Sequence, residues 1–336
     1  MPVLSIIITI YNVAPYLREG LDSILGQEVQ DIEVICVDDC STDSSPDILK
    51  EYQAKDYRIQ VIRHSVNKGR SATRNTGMKR ANGIYVAFFD PDDKVEKDIY
   101  TELIQAMEKN GTDLAFCGYT TFPNGQEIIP DFKPDKAMKP TDFIQGNKHI
   151  QSNNDLCFTW RFVFKRSLIE DYNIRFIEEI KIGEDMVFNL SCLMRSSSAI
   201  MVPKALYKYR INNSSSLMGL PYKPFLEESL QRQIQEKRRL IQKYKIDQYT
   251  PLTNDLSENI ILRYLPMLFN NLYNNPHQLD KQQGIQNILS MPMIREAFRI
   301  IGFRNIYPSW KEYLFYLAMK FKCTRLVCYE LNKTFV

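Results

Sequence analysis

Ile84-Tyr85-Val86-Ala87-Phe88-Phe89-Asp90-Pro91-Asp92-Asp93 joins a continuous apolar run to a cluster of carboxylates. A run without polar alternation, rich in aromatic and β-branched residues, reads as a strand buried on both faces. Its acids therefore leave the sheet together at the strand's carboxyl end. Like charges held so close at neutral pH call for a cation, and hard oxygen donors suit a divalent one. A solvated acidic turn that caps the helix beginning near Asp98 accounts for the same residues without a metal.

Upstream of this stretch, strand and helix signals alternate. Leu4 to Ile10 is apolar throughout, Leu17, Leu21, Ile24 and Leu25 share one helical face, and Ile32 to Val37 is apolar again. Pro46 sits in the first turn of a helix after Ser45 that turns Ile48, Leu49 and Tyr52 inward, and Ile59 to Arg63 is a third strand. Asn82-Gly83 closes the helix before the quoted strand, Asp98 to Asn110 is helical up to Gly111, and Asp113 to Tyr119 is a fifth strand. Repeated βαβ units predict an α/β, Rossmann-like, mostly parallel sheet flanked by helices. Beyond it, Asn124-Gly125 signals a hairpin and Lys133-Pro134-Asp135 a loop, while Trp160 to Lys165 and Ala199 to Arg210 read as strands around a helix from about Asp185 to Met194. After Pro221 the apolar period is helical, as in Leu226, Leu230, Ile234 and Ile241, so residues 1–220 form one domain and 221–336 a C-terminal helical appendage.

Composition narrows the classes. With 336 residues, 44% of them hydrophobic, and a net charge of +3 without basic blocks, the chain is globular and nucleic acid is excluded as a partner. The start Met1-Pro2-Val3-Leu4 has no basic leader and no apolar run reaches spanning length, which predicts a cytoplasmic protein. Seven scattered cysteines fit reduced thiols. Cys36 and Cys40 flank Asp38-Asp39 without a second Cys/His pair, and His64, His149 and His277 are isolated, so zinc has no support.

In open α/β sheets, ligands bind at the carboxyl ends of the strands. Those ends are polar here: Thr9-Ile10-Tyr11-Asn12, Asp38-Asp39, Asn67-Lys68-Gly69-Arg70 and Asp90-Pro91-Asp92-Asp93. Together they suit a nucleoside diphosphate. Tyr11 offers an aromatic wall to a base and Asp39 an acceptor for a uracil imide. Gly69 admits a close ligand, Arg70 and Arg74 neutralise phosphate, Asn75 hydrogen-bonds it, and a metal on Asp92, with Asp90 close by, bridges the two phosphates. Singly, each has a plainer reading: Tyr11 as a core aromatic, Asp38-Asp39 as a turn, Arg74 as a paired surface residue. The chain has no G-x-G-x-x-G after its first strand, no P-loop and no G-x-S-x-G elbow, which disfavours dehydrogenases, P-loop NTPases and α/β-hydrolases.

The segments Ser5 to Asn12, Val37-Asp38-Asp39-Cys40-Ser41-Thr42-Asp43, Asn67-Lys68-Gly69 with Ala72-Thr73-Arg74-Asn75, and Phe89 to Asp93 resemble, in order and spacing, the family 2 inverting glycosyltransferases of GT-A fold. The resemblance is specific to about residue 120 and continues, more weakly, to about 216. It implies a UDP-sugar donor and Mn²⁺ or Mg²⁺ on the D-x-D pair Asp90 and Asp92. Thr9, Tyr11 and Asp39 would contact uracil or ribose, and Asn12, Asn67, Gly69, Arg70, Arg74 and Asn75 would complete the nucleotide site. Thr9 replaces a common proline, Cys40 a common glycine, and Lys94 an often apolar residue. Ile182 to Phe188 resembles the family's E-D motif, making Asp185 the base that inversion requires and Glu184 its neighbour or an acceptor ligand. Capping by acids in a helix's first turn is the plainer account. Tyr207 to Arg210 with Asn212 to Ser216 is similar to a segment closing over the diphosphate, with Arg210 as phosphate ligand. Trp160 with Arg161 forms either an acceptor platform or core.

By analogy the acceptor is a hydroxyl of a glycan or lipid-linked sugar in capsule, lipopolysaccharide or exopolysaccharide synthesis. The rival readings are a nucleotidyltransferase, and a sugar-nucleotide-binding or scaffold protein with a decayed site. In the tail, Trp310, Tyr313, Leu314, Phe315, Leu317, Met319 and Phe321 alternate with Lys311, Lys320, Lys322 and Arg325, fitting either peripheral contact with the inner face of a membrane or packing in a core or homodimer.

Overall fold

The computed structural model of the chain describes residues 1–132, 136–146, 156–211, 220–246, 250–304, 306–307 and 309–335. The expected loop at Lys133-Pro134-Asp135 and the segment Asn212 to Ser216 lie outside them. The chain forms two compact units, one drawn from Met1–Asn147 and Asp155–Asn213, the other chiefly from Ser214–Val336.

The first unit opens with β1 (Leu4–Ile10), α1 (Ala14–Leu25), β2 (Ile32–Asp38), α2 (Ser45–Lys55), β3 (Ile59–Arg63), α3 (Arg70–Met78) and β4 (Tyr85–Phe89). It continues with β5 (Lys94–Val95), α4 (Ile99–Asn110), β6 (Leu114–Phe122), β7 (Glu127–Ile128), α5 (Pro140–Gly146), β8 (Phe162–Lys165), α6 (Arg166–Asp171), α7 (Glu184–Leu193) and β9 (Ala199–Arg210). β2 and β4 are buried along their whole length, as uninterrupted apolar runs require. Leu17, Leu21 and Ile24 of α1 join this core, each side chain contributing about 1.5–3 kcal/mol by burial.

One sheet runs β3-β2-β1-β4-β8-β6-β9-β5, with β7 paired to β6. Pairing is parallel across β3-β2-β1-β4, so the ends carrying Asn12, Asp39 and Asp90 lie on one side of the sheet. Beyond β4 the sheet is mixed, because β8 inserts antiparallel between β4 and β6. Trp160 and Arg161 belong to a 3-10 turn before β8 and not to the strand. The helix before β4 stops at Met78, short of Asn82-Gly83, where the backbone N–H groups of both residues donate to Glu33 Oε1.

The second unit consists of α8 (Leu226–Lys243), α9 (Thr250–Asn259), α10 (Leu265–Tyr273), α11 (Lys281–Ser290), α12 (Pro292–Ile301), α13 (Trp310–Lys320) and α14 (Thr324–Phe335). A π-helical turn, Ile260–Tyr264, joins α9 to α10. Among the described residues no helix is long and apolar enough to cross a membrane.

Candidate active site

The acid turn is built by backbone before it is built by charge. After β4, the Asp93 N–H donates to the Asp90 carbonyl at 3.1 Å, and α1 lies so close that a side chain at Gly20 would stand 2.7 Å from the Pro91 carbonyl oxygen. β5 separates this turn from α4, and the Asp98 side chain makes no cap bond, so helix capping does not explain the cluster. Asp93 is withdrawn from it. Its carboxyl accepts from Tyr207 Oη at 2.9 Å and from the Arg210 N–H at 2.7 Å, while Tyr207 Oη accepts from the Asp90 N–H at 3.3 Å. Burial, then repulsion from Asp92 and Asp90, pushes the Asp93 carboxyl well above the ordinary range. That leaves the half-buried Asp90 and Asp92.

A second group lies at the ends of β1, β2 and β3. Asn12 adopts φ +50°, and its Oδ1 accepts from the Thr42 N–H at 2.8 Å, fixing the turn after β1 and leaving Tyr11 exposed. Asp38 takes the plain turn role, accepting from the Ser41 N–H at 3.0 Å. Asp39 does not. Its oxygens accept from the Lys68 N–H at 2.9 Å and the Gly69 N–H at 2.7 Å, and His64 Nδ1 lies 2.7 Å away, its Nε2 being 3.0 Å from Thr76 Oγ1. A carboxylate has about four lone-pair sites, so three donors leave room for one more. Gly69, at φ +87°, supplies the left-handed backbone that starts α3, and Lys181 Nζ lies 3.1 Å from where a side chain there would begin. Thr9 is half-buried near the end of β1, and Asn67 is exposed just before Lys68. Cys40 is also left-handed, at φ +64°, which explains why glycine suits the position.

Arg74 draws the two acid regions together. Its fully buried guanidinium contacts Asp90 Oδ1 at 3.3 Å, Glu184 Oε1 at 3.2 Å and Asp185 Oδ1, and faces the Phe176 ring at 5.0 Å. Asp185 Oδ2 also accepts from the Thr159 N–H at 3.2 Å. Burial opposes ionisation of Asp185, yet the Arg74 and Arg70 charges outweigh it and hold the carboxyl below its usual range. Glu184 goes the other way, raised by burial first and by repulsion from Asp185 second. Arg70 remains exposed, 3.8 Å from Glu184.

Several expectations need correction. Arg74, expected on phosphate, is enclosed by three protein carboxylates. Asn75, expected on phosphate, donates to the Phe176 carbonyl at 2.9 Å and to Glu178 at 3.1 Å, tying α3 to the segment between α6 and α7. Arg210 donates to the Asp92 carbonyl at 2.6 Å and to Glu19 at 2.5 Å, bracing the acid turn. Trp160 is 2% exposed and stacked on Tyr207 at 3.8 Å, so it is core, with the half-buried Phe158 against it at 5.0 Å. Lys94 pairs with Glu19. Phe158, Lys181 and the partnership of His64 with Asp39 went unrecognised in the sequence, where only His64 carried a signal, since it directly follows a strand; Tyr207 was singled out within the Tyr207 to Arg210 segment, but not as the partner of Asp93.

Sequence and fold comparisons identify the family and the fold. The model of Glycosyl transferase family 2 matches residues 5–172. An uncharacterised glycosyltransferase, EpsJ of Bacillus subtilis, is 34% identical over 330 residues, covering 97% of this chain and 95% of EpsJ. The poly(ribitol-phosphate) beta-glucosyltransferase of Bacillus spizizenii is 31% identical over 227 residues, 66% of this chain and 34% of that protein. In fold, the crystal structure of S. aureus TarS 1-349 with UDP-GlcNAc superposes with a TM-score of 0.65 at 19% identity, over 89% of this chain and 84% of that 1-349 chain. The profile match covers the strand-end acid turn, the EpsJ alignment runs over nearly the whole chain, and the chain belongs to glycosyl transferase family 2.

Proposed function

We propose that this glycosyltransferase moves a sugar, with inversion, from a UDP-sugar to a hydroxyl of a surface-polysaccharide or lipid-linked glycan acceptor. One observation carries the reading: a single buried arginine, Arg74, touches both Asp90 of the strand-end turn and Asp185 at the start of α7. Acids suited to hold a leaving group and an acid suited to take a proton are thereby set on one support.

In this reading Tyr11 lies against uracil, the remaining lone pair of Asp39 accepts the imide N–H, and Gly69 with Arg70 borders the diphosphate. Among the described residues no three His, Cys, Asp or Glu side chains converge to cage a metal. Mg²⁺ and Mn²⁺ sites shared with substrate phosphates need only one or two carboxylates, which Asp90 and Asp92 supply. A bound divalent ion would neutralise charge on the departing diphosphate. Asp185 accepts the proton of the acceptor hydroxyl while that oxygen bonds to the anomeric carbon, and the bond from that carbon to the diphosphate oxygen breaks, its electron pair leaving with UDP. Arg74 keeps Asp185 ionised and aimed, and Phe158, beside Thr159, replaces Trp160 as the aromatic surface open to an acceptor sugar. Seven scattered cysteines that fit reduced thiols, and the need for a nucleotide-sugar donor, favour the cytoplasmic face of the membrane.

The test is UDP release from a panel of UDP-sugars with Mn²⁺ or Mg²⁺, combined with UDP titration calorimetry, for wild type and Asp92→Ala. Metal-dependent UDP binding lost in Asp92→Ala supports the reading. Absence of UDP-sugar binding and turnover with either ion overturns it.

A further inference from the structure

The C-terminal unit carries a feature that sugar transfer does not use. Trp310, Leu314, Leu317 and Phe321 follow one another at spacings of four, three and four along and just past α13, which places them on one face. The opposite face is buried through Tyr316 and Met319. Trp310 is 69% exposed, Leu314 50% and Phe321 61%, and the Phe303 ring, 67% exposed, lies 6.2 Å from that of Phe321. Large apolar side chains so exposed in a row mark a contact surface.

Charge selects the partner. From Phe303 to the end the chain has six Lys and Arg against two acids, a net +4 where the whole chain is +3, so the remainder is slightly acidic. Both acids are engaged within the protein: Glu312 caps Ser309, and Glu330 pairs with Lys333. Lys311, Lys322 and Arg325 are exposed around the stripe. A second copy docked by the same face would bring two such basic surfaces together, which like-charge repulsion opposes. An anionic lipid surface attracts them. Tryptophan favours the interfacial depth, and lysine stems reach out of it to the headgroups.

We propose that the α13 face, Trp310, Leu314, Leu317 and Phe321 with Phe303, docks the protein on an anionic membrane surface. The inference is independent of the donor reading, since it is tested by binding without substrate. The chain has two tryptophans, and Trp160 is buried, so a change in indole emission on vesicle addition reports Trp310. The full chain is mixed with phosphatidylcholine vesicles, with or without phosphatidylglycerol, and read by flotation and emission. Flotation and a blue shift are expected only with the anionic vesicles, weakening as salt rises. Trp310→Phe keeps flotation and loses the shift. Trp310→Ser with Phe321→Ser, and separately Lys311→Glu with Lys322→Glu, each lower partition at least about tenfold, with unchanged circular dichroism and UDP affinity showing that the fold persists. Failure of the wild type to float overturns the proposal, as does equal flotation of the charge-reversed variant. So does a dimer in light scattering that dissociates on Phe321→Ser, which would assign the face to a second copy.

Discussion

Two places in the molecule put adjacent carboxylates at the end of an apolar element, and they handle the charge differently. At Glu184-Asp185 the protein supplies its own cation: Arg74 is buried against both acids, one carboxyl is held ionised and the other is pushed toward its neutral form. At Asp90-Pro91-Asp92-Asp93, the third acid is turned inward onto Tyr207 and Arg210, and Asp92 is only half-buried. A carboxylate matched from within is fixed in one protonation state and one direction, which suits a proton acceptor. A carboxylate pair matched only in part suits a ligand that brings charge with it.

The strongest challenge to this contrast is Asp185→Asn. Amide replaces carboxylate with little change of shape, so only proton acceptance is removed. General-base catalysis contributes about 10²–10⁴-fold, and kcat is expected to fall by that factor with UDP affinity unchanged. Loss of UDP affinity as large as the loss of turnover would move Asp185 to the leaving-group side and erase the distinction. Asp92→Ala should show the reverse pattern, with affinity lost first.

Arg74→Met addresses the cation itself. Removing one partner of a buried ionic cluster costs about 3–5 kcal/mol, because the carboxylates are left uncompensated. Urea unfolding near neutral pH should register that loss, and the deficit should shrink toward pH 4 as the acids take up protons. Equal stability at both pH values would mean that the helix-start pair is neutralised by something other than Arg74.

The strands of the parallel side and the position of the acid turn were legible because buried strands announce themselves as apolar runs, and functional side chains follow directly after them. Asp185 could be placed at a helix start for the same local reason. What neutralises the acids was not legible, since Arg74 and Glu184 lie 110 residues apart and no periodicity records that pairing. The same blindness hid the insertion of β8, the burial of Trp160 under Tyr207 and the approach of His64 to Asp39. Local pattern specifies elements and their ends, whereas partnership across the sheet is a property of tertiary packing.

Glu184→Gln sharpens the contrast by a smaller amount. Glu184 is raised to about 7 from an ordinary value of 4.5. An acid whose folded value is raised adds stability below its unfolded value, and that stability is lost as pH climbs through the folded one. Wild type should therefore lose stability relative to Glu184→Gln as pH climbs between roughly 4.5 and 7. Denaturant midpoints of the two proteins across that window provide the measurement, and a constant difference would show that Glu184 does not hold the extra proton.

The smallest effect belongs to the acid turn's inward anchor. Tyr207→Phe keeps the ring stacked on Trp160 and deletes only the hydroxyl that donates to Asp93 and accepts from the Asp90 N–H. Loss of such a bond costs about 1 kcal/mol net. The hydroxyl favours the charged form of Asp93, so its removal raises that carboxyl further above the usual range. By the same sign rule, the variant's deficit must be least in acid, where Asp93 is neutral in both proteins, and must grow as pH rises. A deficit independent of pH would mean that Asp93 stays protonated throughout, so that the turn presents Asp90 and Asp92 as its only charges. A deficit that grows would make Tyr207 the group that lets a third charge persist beside them.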